Sequence, residues 1–289
     1  MQSLVMRLIV TLINNDDVHL APFVKWVGGK RQLIKHIKPI LPESMNTYYE
    51  PFIGGGAVLF NHRPNVAVIN DFNHELINVY DTIKDDVHAL IEDLKLHIYD
   101  SDYFYEIRSL DRHVEYKNLS ALKRASRLLY LNKSCFNGLY RVNSKGEFNS
   151  PFGRYTNPNI VNEETLLAVS KYLNENSITT RTGDFEEAVS DAEMGDFVYF
   201  DPPYDPVSKS ASFTAYSKLG FSREDQERLR DLCVSLTQKG VKFLLSNAST
   251  EFINDLYKDF TVIEVGASRA INSDGAKRQK VLEVLVRNY

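Results

Sequence analysis

Hydrophobic and polar residues follow each other along the chain in a pattern that predicts alternating strands and helices. Short β-favouring apolar runs lie at residues 48–52, 66–71, 178–182, 197–200 and 241–247, and turn-forming or polar residues follow them. Apolar residues recur at helical spacing between these runs, most clearly from Glu75 to Ile98. Residues 260–265 and 281–287 have the pattern of a terminal strand pair. Strands that alternate with helices indicate an α/β fold with a largely parallel sheet.

One apolar run, residues 197–200, stops at Asp201-Pro202-Pro203-Tyr204. Loops that leave the carboxyl ends of parallel strands form the ligand crevice of such sheets. Because two consecutive prolines fix φ and remove two N–H donors, the loop has a preset shape. Its carboxylate, carbonyl oxygens and ring suit the amino group of a planar base, with Asp201 and the Pro202 carbonyl as acceptors and Tyr204 beneath the ring. Considered alone, the tetrapeptide fits a proline-rich turn better.

A second candidate site is a glycine-rich turn, Gly54-Gly55-Gly56, between a predicted strand and helix. Glycines let the backbone approach a ligand closely, although the spacing is not that of the dinucleotide motif. Asp71 ends the next strand, where an acid can accept both hydroxyls of a ribose. The pattern fits a nucleoside-containing cofactor that needs no pyrophosphate site.

Two further segments carry residues suited to the same ligand. Trp26 could cover a flat or apolar group and Lys30 could pair with a carboxylate, but core packing and a solvated charge explain them equally well. The turn that contains Lys30 lacks the spacing of a triphosphate-binding loop. Asp184 and Phe185 follow another strand, where the acid can accept from an adenine amino group and the ring can cover it.

Composition narrows the class of protein. The 289 residues allow one large domain with an insertion, and a net charge of −4 gives no overall attraction to nucleic acid. Cys135 and Cys233 have no metal-ligand spacing, which favours a reducing compartment and no metal. The apolar segment from Ser3 to Ile13 is too short to span a membrane. We therefore expect a cytoplasmic protein with a leader at residues 1–20 and no membrane association.

Positive charge is concentrated in one segment. Residues 102–159 hold ten basic and five acidic side chains, a balance of +5 in an acidic chain. Arginine and asparagine read base edges, and apolar side chains can enter a base step. Charge alone still favours a solvated helical face. Candidate DNA contacts in this segment and in a basic loop at 269–280 are Phe136, Asn137, Leu139, Arg141, Lys277 and Arg278.

Taken in order, these motifs resemble a known family. The motifs, in chain order, are Lys-Trp-Val-Gly-Gly-Lys, Glu-Pro-Phe-Ile-Gly-Gly-Gly, Asn-Asp-Phe-Asn, a basic insertion that contains Phe-Asn-Gly-Leu-Tyr-Arg, Gly-Asp-Phe and Asp-Pro-Pro-Tyr. This series is similar to that of the Dam-type DNA adenine-N6 methyltransferases. The similarity is greatest to the DpnII-type methylases that modify GATC. It covers the chain from Pro22 to Asn288.

The resemblance implies an α/β S-adenosylmethionine-dependent methyltransferase fold, with a seven-stranded, mostly parallel sheet whose last strand is antiparallel. It implies a catalytic domain at 21–80 and 159–289 and a helical target-recognition insertion at 81–158. The family's catalytic positions correspond here to Asp201, Pro202 and Tyr204. Its positions for S-adenosyl-L-methionine correspond to Trp26, Lys30, Phe52, Gly54, Asp71, Asp184, Phe185 and Asp201.

The implied activity is methylation of adenine N6 in double-stranded DNA, within GATC, by base flipping and direct transfer. The enzyme would be the modification half of a restriction-modification system, paired in function with an endonuclease without a stable complex. An orphan regulatory or repair-associated Dam-type methylase is the main alternative. A cytosine-N4 or RNA N-methyltransferase and a non-catalytic DNA-binding protein are weaker alternatives. A cytosine-C5 enzyme is excluded because it would need a nucleophilic cysteine next to a proline, and neither cysteine has one.

Overall fold

The computed structural model describes residues 20–207, 221–267 and 281–289. Seven strands form one sheet: β1 (Tyr48–Glu50), β2 (Val66–Asp71), β3 (Ser177–Thr182), β4 (Phe197–Phe200), β5 (Lys242–Ala248), β6 (Thr261–Ala267) and β7 (Val281–Arg287). Their order across the sheet is β3-β2-β1-β4-β5-β7-β6. All neighbours pair in parallel except β7, which is antiparallel to both β5 and β6. The predicted fold class is therefore confirmed.

Helices connect and cover the strands. They are α1 (Ile34–Ile37), α2 (Ala57–His62), α3 (His74–Lys95), α4 (Ser101–Ser109), α5 (Ala121–Ser134), α6 (Glu163–Glu175), α7 (Phe185–Ala188), α8 (Arg223–Gln238) and α9 (Glu251–Leu256). Ser222 and Asp225 form a reciprocal capping box at the start of α8. The amphipathic run after Leu33 forms only a short α1, and a 3₁₀ turn that contains Pro39 follows it.

The sheet separates two apolar layers. Alternate residues of β4 point to opposite faces, so that Tyr199 packs with α3 and α6 while Val198 and Phe200 pack beneath α8. All four residues of β4 are buried, as expected for a central parallel strand covered on both faces. Cys233, on the inner face of α8, is buried in the second of these layers.

The basic segment has a small core of its own. Phe104, Tyr130, Leu131, Cys135 and Phe148 pack together away from the two main layers. Helix α3 runs through residue 81, and its apolar face belongs to the main core, so the predicted beginning of the insertion lies inside a helix. The domain boundaries stay a prediction.

Within the described ranges, no helix is long and apolar enough to cross a membrane. The same residues contain no group of three or more His, Cys, Asp or Glu side chains that could hold a metal ion.

Candidate active site

The strand order places two predicted motifs side by side. From the central pair β1 and β4, the chain continues toward β2 and β3 on one side and toward β5 on the other. This reversal creates a crevice at the carboxyl ends of β1 and β4. The glycine turn follows β1, and Asp201 follows β4 directly. Both motifs therefore border the same crevice.

Asp201 is held through one of its two carboxylate oxygens. Lys30 Nζ lies 2.6 Å from Oδ1, and Ser246 Oγ donates to the same oxygen at 3.0 Å. Oδ2 accepts no hydrogen bond from the residues that the structure describes. Burial raises the pKa of Asp201, while the Lys30 ammonium and the Ser246 hydroxyl oppose that rise. The carboxylate is thus oriented, with one oxygen left for another donor.

Tyr204 lies beside the same lysine. The Lys30 nitrogen is 4.6 Å from the centroid of the Tyr204 ring, within the range of a cation–π contact. At the far end of the ring, the hydroxyl donates to Glu283 Oε2 at 3.1 Å. Glu283 is an acidic residue, yet it is only 5% exposed and lies in the largely apolar strand β7.

Side-chain hydrogen bonds fix the loop that carries these residues. Gln226 Nε2 donates to the Pro203 carbonyl at 2.8 Å, and the Asp205 N–H donates to Asn247 Oδ1 at 3.0 Å. The Asp205 carboxylate receives two bonds from Arg223, at 3.0 and 3.2 Å. Among the described residues, no donor reaches the Pro202 carbonyl. These bonds hold the loop in place, and the Pro202 carbonyl next to Asp201 remains an acceptor without a donor among the described residues.

The glycine turn is closed against β2 by Asp71. Gly54 N donates to Oδ2 at 3.1 Å and Asn73 N donates to Oδ1 at 2.9 Å. Burial raises the pKa of Asp71 to about 6, although both hydrogen bonds favour the charged form. A Cβ on Gly56 would lie 2.7 Å from the Tyr80 hydroxyl, and its φ of 73° also favours glycine.

A buried acid lies beneath the crevice. Glu50, at the end of β1, accepts from the Tyr48 hydroxyl at 2.6 Å and is only 2% exposed. Burial raises the pKa of Glu50 to about 8, and the charge of Asp201 acts in the same direction. Glu50 is therefore largely protonated at neutral pH.

Trp26 lies between the glycine turn and the insertion. Its ring stacks on Tyr140 at 4.8 Å with an interplanar angle of 25°. A Cβ on Gly54 would lie only 3.0 Å from Trp26 Cδ1. The prediction that Trp26 covers a ligand stays open, but one face of the ring already packs against a residue of the insertion.

The remaining cofactor candidates form an aromatic cluster. The Phe52 and Phe185 rings stack at 5.5 Å, and Phe221 packs against both. Phe185 is only 4% exposed, so its ring faces protein more than solvent. Asp184 caps α7 and accepts two bonds from Arg228, at 3.1 and 3.2 Å.

The predicted DNA contacts in the insertion project from one short turn. Phe136 is 54% exposed and Leu139 is 36% exposed, so both apolar side chains are accessible to a binding partner. Asn137 has a φ of 58°, a left-handed conformation that asparagine tolerates. The exposed Arg141 donates from Nε to Asn149 Oδ1 at 2.6 Å. We call residues 136–141 the reader turn.

One buried amide fastens the reader turn to the segment before Trp26. Asn132 Oδ1 accepts from Lys25 N at 2.9 Å, and its Nδ2 donates to the Lys25 and Gly138 carbonyls at 2.8 and 3.1 Å. The side chain is fully buried. Through Asn132, the insertion and the catalytic crevice share a hydrogen-bonded contact.

The structure thus brings the catalytic candidates Asp201, Pro202 and Tyr204 together with Lys30, and places Trp26, Gly54 and Asp71 around the glycine turn. Lys277 and Arg278 lie outside the described residues, as does most of the loop after Asp205. Sequence reasoning missed Ser246 and Glu283, which are polar residues within largely apolar strands. It also missed Phe72, which directly follows Asp71 and is 82% exposed.

Comparison with known proteins agrees with this arrangement. The model of the D12 class N6 adenine-specific DNA methyltransferases matches residues 26–271. The type II methyltransferase M1.LlaDCHI of Lactococcus lactis subsp. cremoris is 49% identical, over 97% of this chain and 99% of that protein. The type II methyltransferase M.MjaIII of Methanocaldococcus jannaschii is 40% identical, over 94% and 100% of the two chains. A DNA adenine methylase of Serratia marcescens is 37% identical, over 91% and 96%.

A family model spans most of the chain, and the relatives are matched along almost their full length. The chain belongs to the D12 class of N6 adenine-specific DNA methyltransferases.

Proposed function

We propose that the enzyme transfers a methyl group from S-adenosyl-L-methionine to adenine N6 within GATC sites of double-stranded DNA. The adenine is turned out of the duplex, because its amino group is otherwise enclosed in the base stack. Asp201, Pro202 and Tyr204 receive the base, and the insertion reads the surrounding sequence.

The observation that carries this proposal is the pair of open acceptors at the end of β4. Lys30 and Ser246 occupy only Oδ1 of Asp201, and the Pro202 carbonyl has no donor among the described residues. An exocyclic amino group has two N–H donors and needs two such acceptors. The adjacent Tyr204 ring offers a flat surface for the base itself.

The acceptors also explain how an unreactive amino group can be used. Its lone pair is delocalised into the adenine ring, which makes the nitrogen a poor nucleophile. Hydrogen bonds to Asp201 and to the Pro202 carbonyl favour a tetrahedral nitrogen with a free lone pair. Positioning then supplies much of the rate enhancement. No covalent enzyme intermediate is needed.

The residues around the glycine turn fit S-adenosylmethionine, which supplies an electrophilic methyl group when bound. Gly54 and Gly56 both have positive φ, and protein atoms fill the space beside each of them, so the turn holds a backbone conformation that requires glycine. Asp71 is placed to accept ribose hydroxyls, and the exposed ring of Phe72 is placed to cover a flat group. Trp26 and Lys30 border the same space. We assign the far side of this cofactor space to Asp184, Phe52 and Phe185.

DNA binding by an acidic chain requires a local positive surface. Near the reader turn, Lys133 is half-buried, and burial together with the neighbouring Lys25 and Arg31 charges lowers its pKa to about 8. Such a cluster of cations favours a phosphate partner. Arg141, Asn137, Phe136 and Leu139 are assigned to base contacts, and Lys277 and Arg278 to the DNA backbone.

The cellular role we propose is modification in a restriction-modification system. The relatives with 49% and 40% identity are both named type II methyltransferases, and the Serratia relative named a DNA adenine methylase is less similar, at 37%. The enzyme would act without a stable complex with the endonuclease. The higher identity to the type II methyltransferases favours a modification enzyme over an orphan methylase.

Plasmid protection tests the reaction and the site together. A plasmid methylated by the enzyme should resist a GATC nuclease blocked by N6 methylation and be cut by one that requires it. Nucleoside analysis of the same DNA should contain N6-methyladenine and no N4-methylcytosine. N6-methyladenine without protection at GATC would retain the chemistry and reject the proposed sequence.

A further inference from the structure

The active site contains a buried acid that lies outside the sequence motifs described above. Glu283 is the third residue of β7, in the run Val281-Leu282-Glu283-Val284-Leu285. Placing a carboxylate in an apolar strand is unfavourable unless polar partners compensate for the lost hydration. The 5% exposure of Glu283 therefore requires such partners at this position.

Sheet topology explains why this acid reaches the crevice. Because β7 is antiparallel to its neighbours, its first residues lie at the edge where the parallel strands end. Glu283 is aligned with Ala248, the last residue of β5, which follows Ser246 by two positions. A strand that begins at this edge can add a side chain to the site from beneath the Asp201 loop.

The contact that matters is the hydrogen bond from Tyr204 to Glu283. The Tyr204 hydroxyl donates to Oε2 at 3.1 Å, and the Lys30 ammonium lies near the ring of the same tyrosine. The hydroxyl oxygen lies on the axis about which the ring turns, so this bond fixes the direction of that axis. Because a phenolic O–H prefers to lie in the plane of the ring, the position of Oε2 also favours one orientation of the ring. Loss of this bond would let the ring tilt relative to Asp201.

We propose that Glu283 is a positioning residue, which sets the angle of the Tyr204 ring and thereby the stacking of the flipped adenine. The inference rests on the proposed role of Tyr204 as the surface that receives the base. Glu283 does not touch the reacting atoms. It orients the ring through the tyrosine hydroxyl, and, in addition to burial, its charge also raises the pKa of Asp201.

A double-mutant cycle tests the assignment. Glu283→Ala and Tyr204→Phe should each lower kcat about tenfold, a typical effect of losing a hydrogen bond to a charged group. The double variant should be no slower than either single variant, because both remove the same bond. Glu283→Gln, whose amide oxygen still accepts from the hydroxyl, should recover most of kcat. Glu264→Ala, on the neighbouring strand β6, is the matched control and should leave kcat unchanged.

A fluorescent base provides a readout that a general loss of stability does not imitate. With 2-aminopurine at the target position, Glu283→Ala and Tyr204→Phe should change the fluorescence of the bound complex alike, and Glu283→Gln should restore the wild-type signal. Cofactor affinity measured by calorimetry should be unchanged in all variants. If Glu283→Ala does not fold, the cycle can be completed with two other variants. These are Tyr204→Phe alone and Tyr204→Phe combined with Glu283→Gln.

Two results would overturn the inference. Multiplicative effects in the double variant would show that Glu283 acts independently of Tyr204, and wild-type kcat in Glu283→Ala would show no positioning role. Tyr204→Ala separates this outcome from failure of the proposed function. If Tyr204→Ala is fully active, the assignment of Tyr204 fails; if it is inactive while Glu283→Ala is normal, only the role of Glu283 fails.

Discussion

The Lys30 ammonium lies 2.6 Å from Asp201 Oδ1 and faces the ring of Tyr204, so one buried cation contacts both side chains assigned to the target base. This pairing keeps the pKa of Asp201 lower than burial alone would allow. Lys30 therefore favours the charged form of the base acceptor. The pH at which the reaction slows through protonation of Asp201 should therefore depend on the presence of Lys30.

Removing the ammonium tests this relationship. In Lys30→Met the pKa of Asp201 should rise, so the acidic limb of the kcat profile should move to higher pH when cofactor is saturating. Ser246→Ala removes one hydrogen bond to the same oxygen and should shift the limb in the same direction by less. A profile that stays in place, or that moves to lower pH, would show that the charge of Asp201 does not limit the reaction.

Asp71 should make cofactor binding depend on pH. Its pKa of about 6 means that the carboxylate form, which accepts ribose hydroxyls, is lost as the pH falls below this value. Calorimetry from pH 5 to pH 8 should show affinity for S-adenosylmethionine rising through about pH 6. Asp71→Asn should bind weakly with a flat profile. A wild-type affinity that is constant over this range would contradict the assignment.

The same group predicts the sign of a stability effect in the absence of cofactor. The pKa of Asp71 in the folded chain exceeds its ordinary value of 3.8, so the folded state holds this proton more tightly than the unfolded state. Its contribution to stability is complete below the ordinary value and is lost as pH rises toward about 6. Relative to the wild type, Asp71→Asn should therefore gain stability over this window, as measured by urea unfolding.

Asn132 should couple sequence recognition to the cofactor site. Asn132→Ala leaves buried polar groups of Lys25 and Gly138 without partners and should lower the free energy of unfolding by about 2–4 kcal/mol. It should also weaken the effect of GATC duplex on cofactor affinity, measured by calorimetry with and without DNA. Asn174→Ala, which removes side-chain bonds to Lys84 and Ser170, is the control and should leave this coupling intact. Unchanged coupling in both variants would limit Asn132 to a structural role.

Arg141 and the pair Lys277 and Arg278 should have different signatures in DNA binding. Arg141→Ala should cost about 1–3 kcal/mol of discrimination at one base pair of the site. Neutralising Lys277 and Arg278 should weaken binding to every sequence and make its salt dependence shallower. Equal loss of affinity for GATC and scrambled duplexes in Arg141→Ala would instead identify a phosphate contact.

Sequence reasoning located the motifs at strand ends because apolar runs and turn residues are local signals. Asp71 and Asp201 each end a strand or follow it directly, so their place in a crevice could be predicted. Glu283 could not, since only the antiparallel pairing of β7 brings it to Tyr204. The partner of Asn132 is 107 positions away in the chain. The burial of Phe185 likewise arises from tertiary packing that has no local signature.

The central claim is that Asp201 and the loop it begins bring about methyl transfer to adenine. Its most direct test is the single-turnover rate of tritium transfer from S-adenosylmethionine to a GATC duplex, with every variant saturated with both substrates. Asp201→Ala should be at least about a thousandfold slower than the wild type, since a charged acceptor is lost at the reacting atom. Asp201→Asn, which keeps one acceptor without the charge, should lie between them. Transfer by Asp201→Ala at close to the wild-type rate would contradict the account.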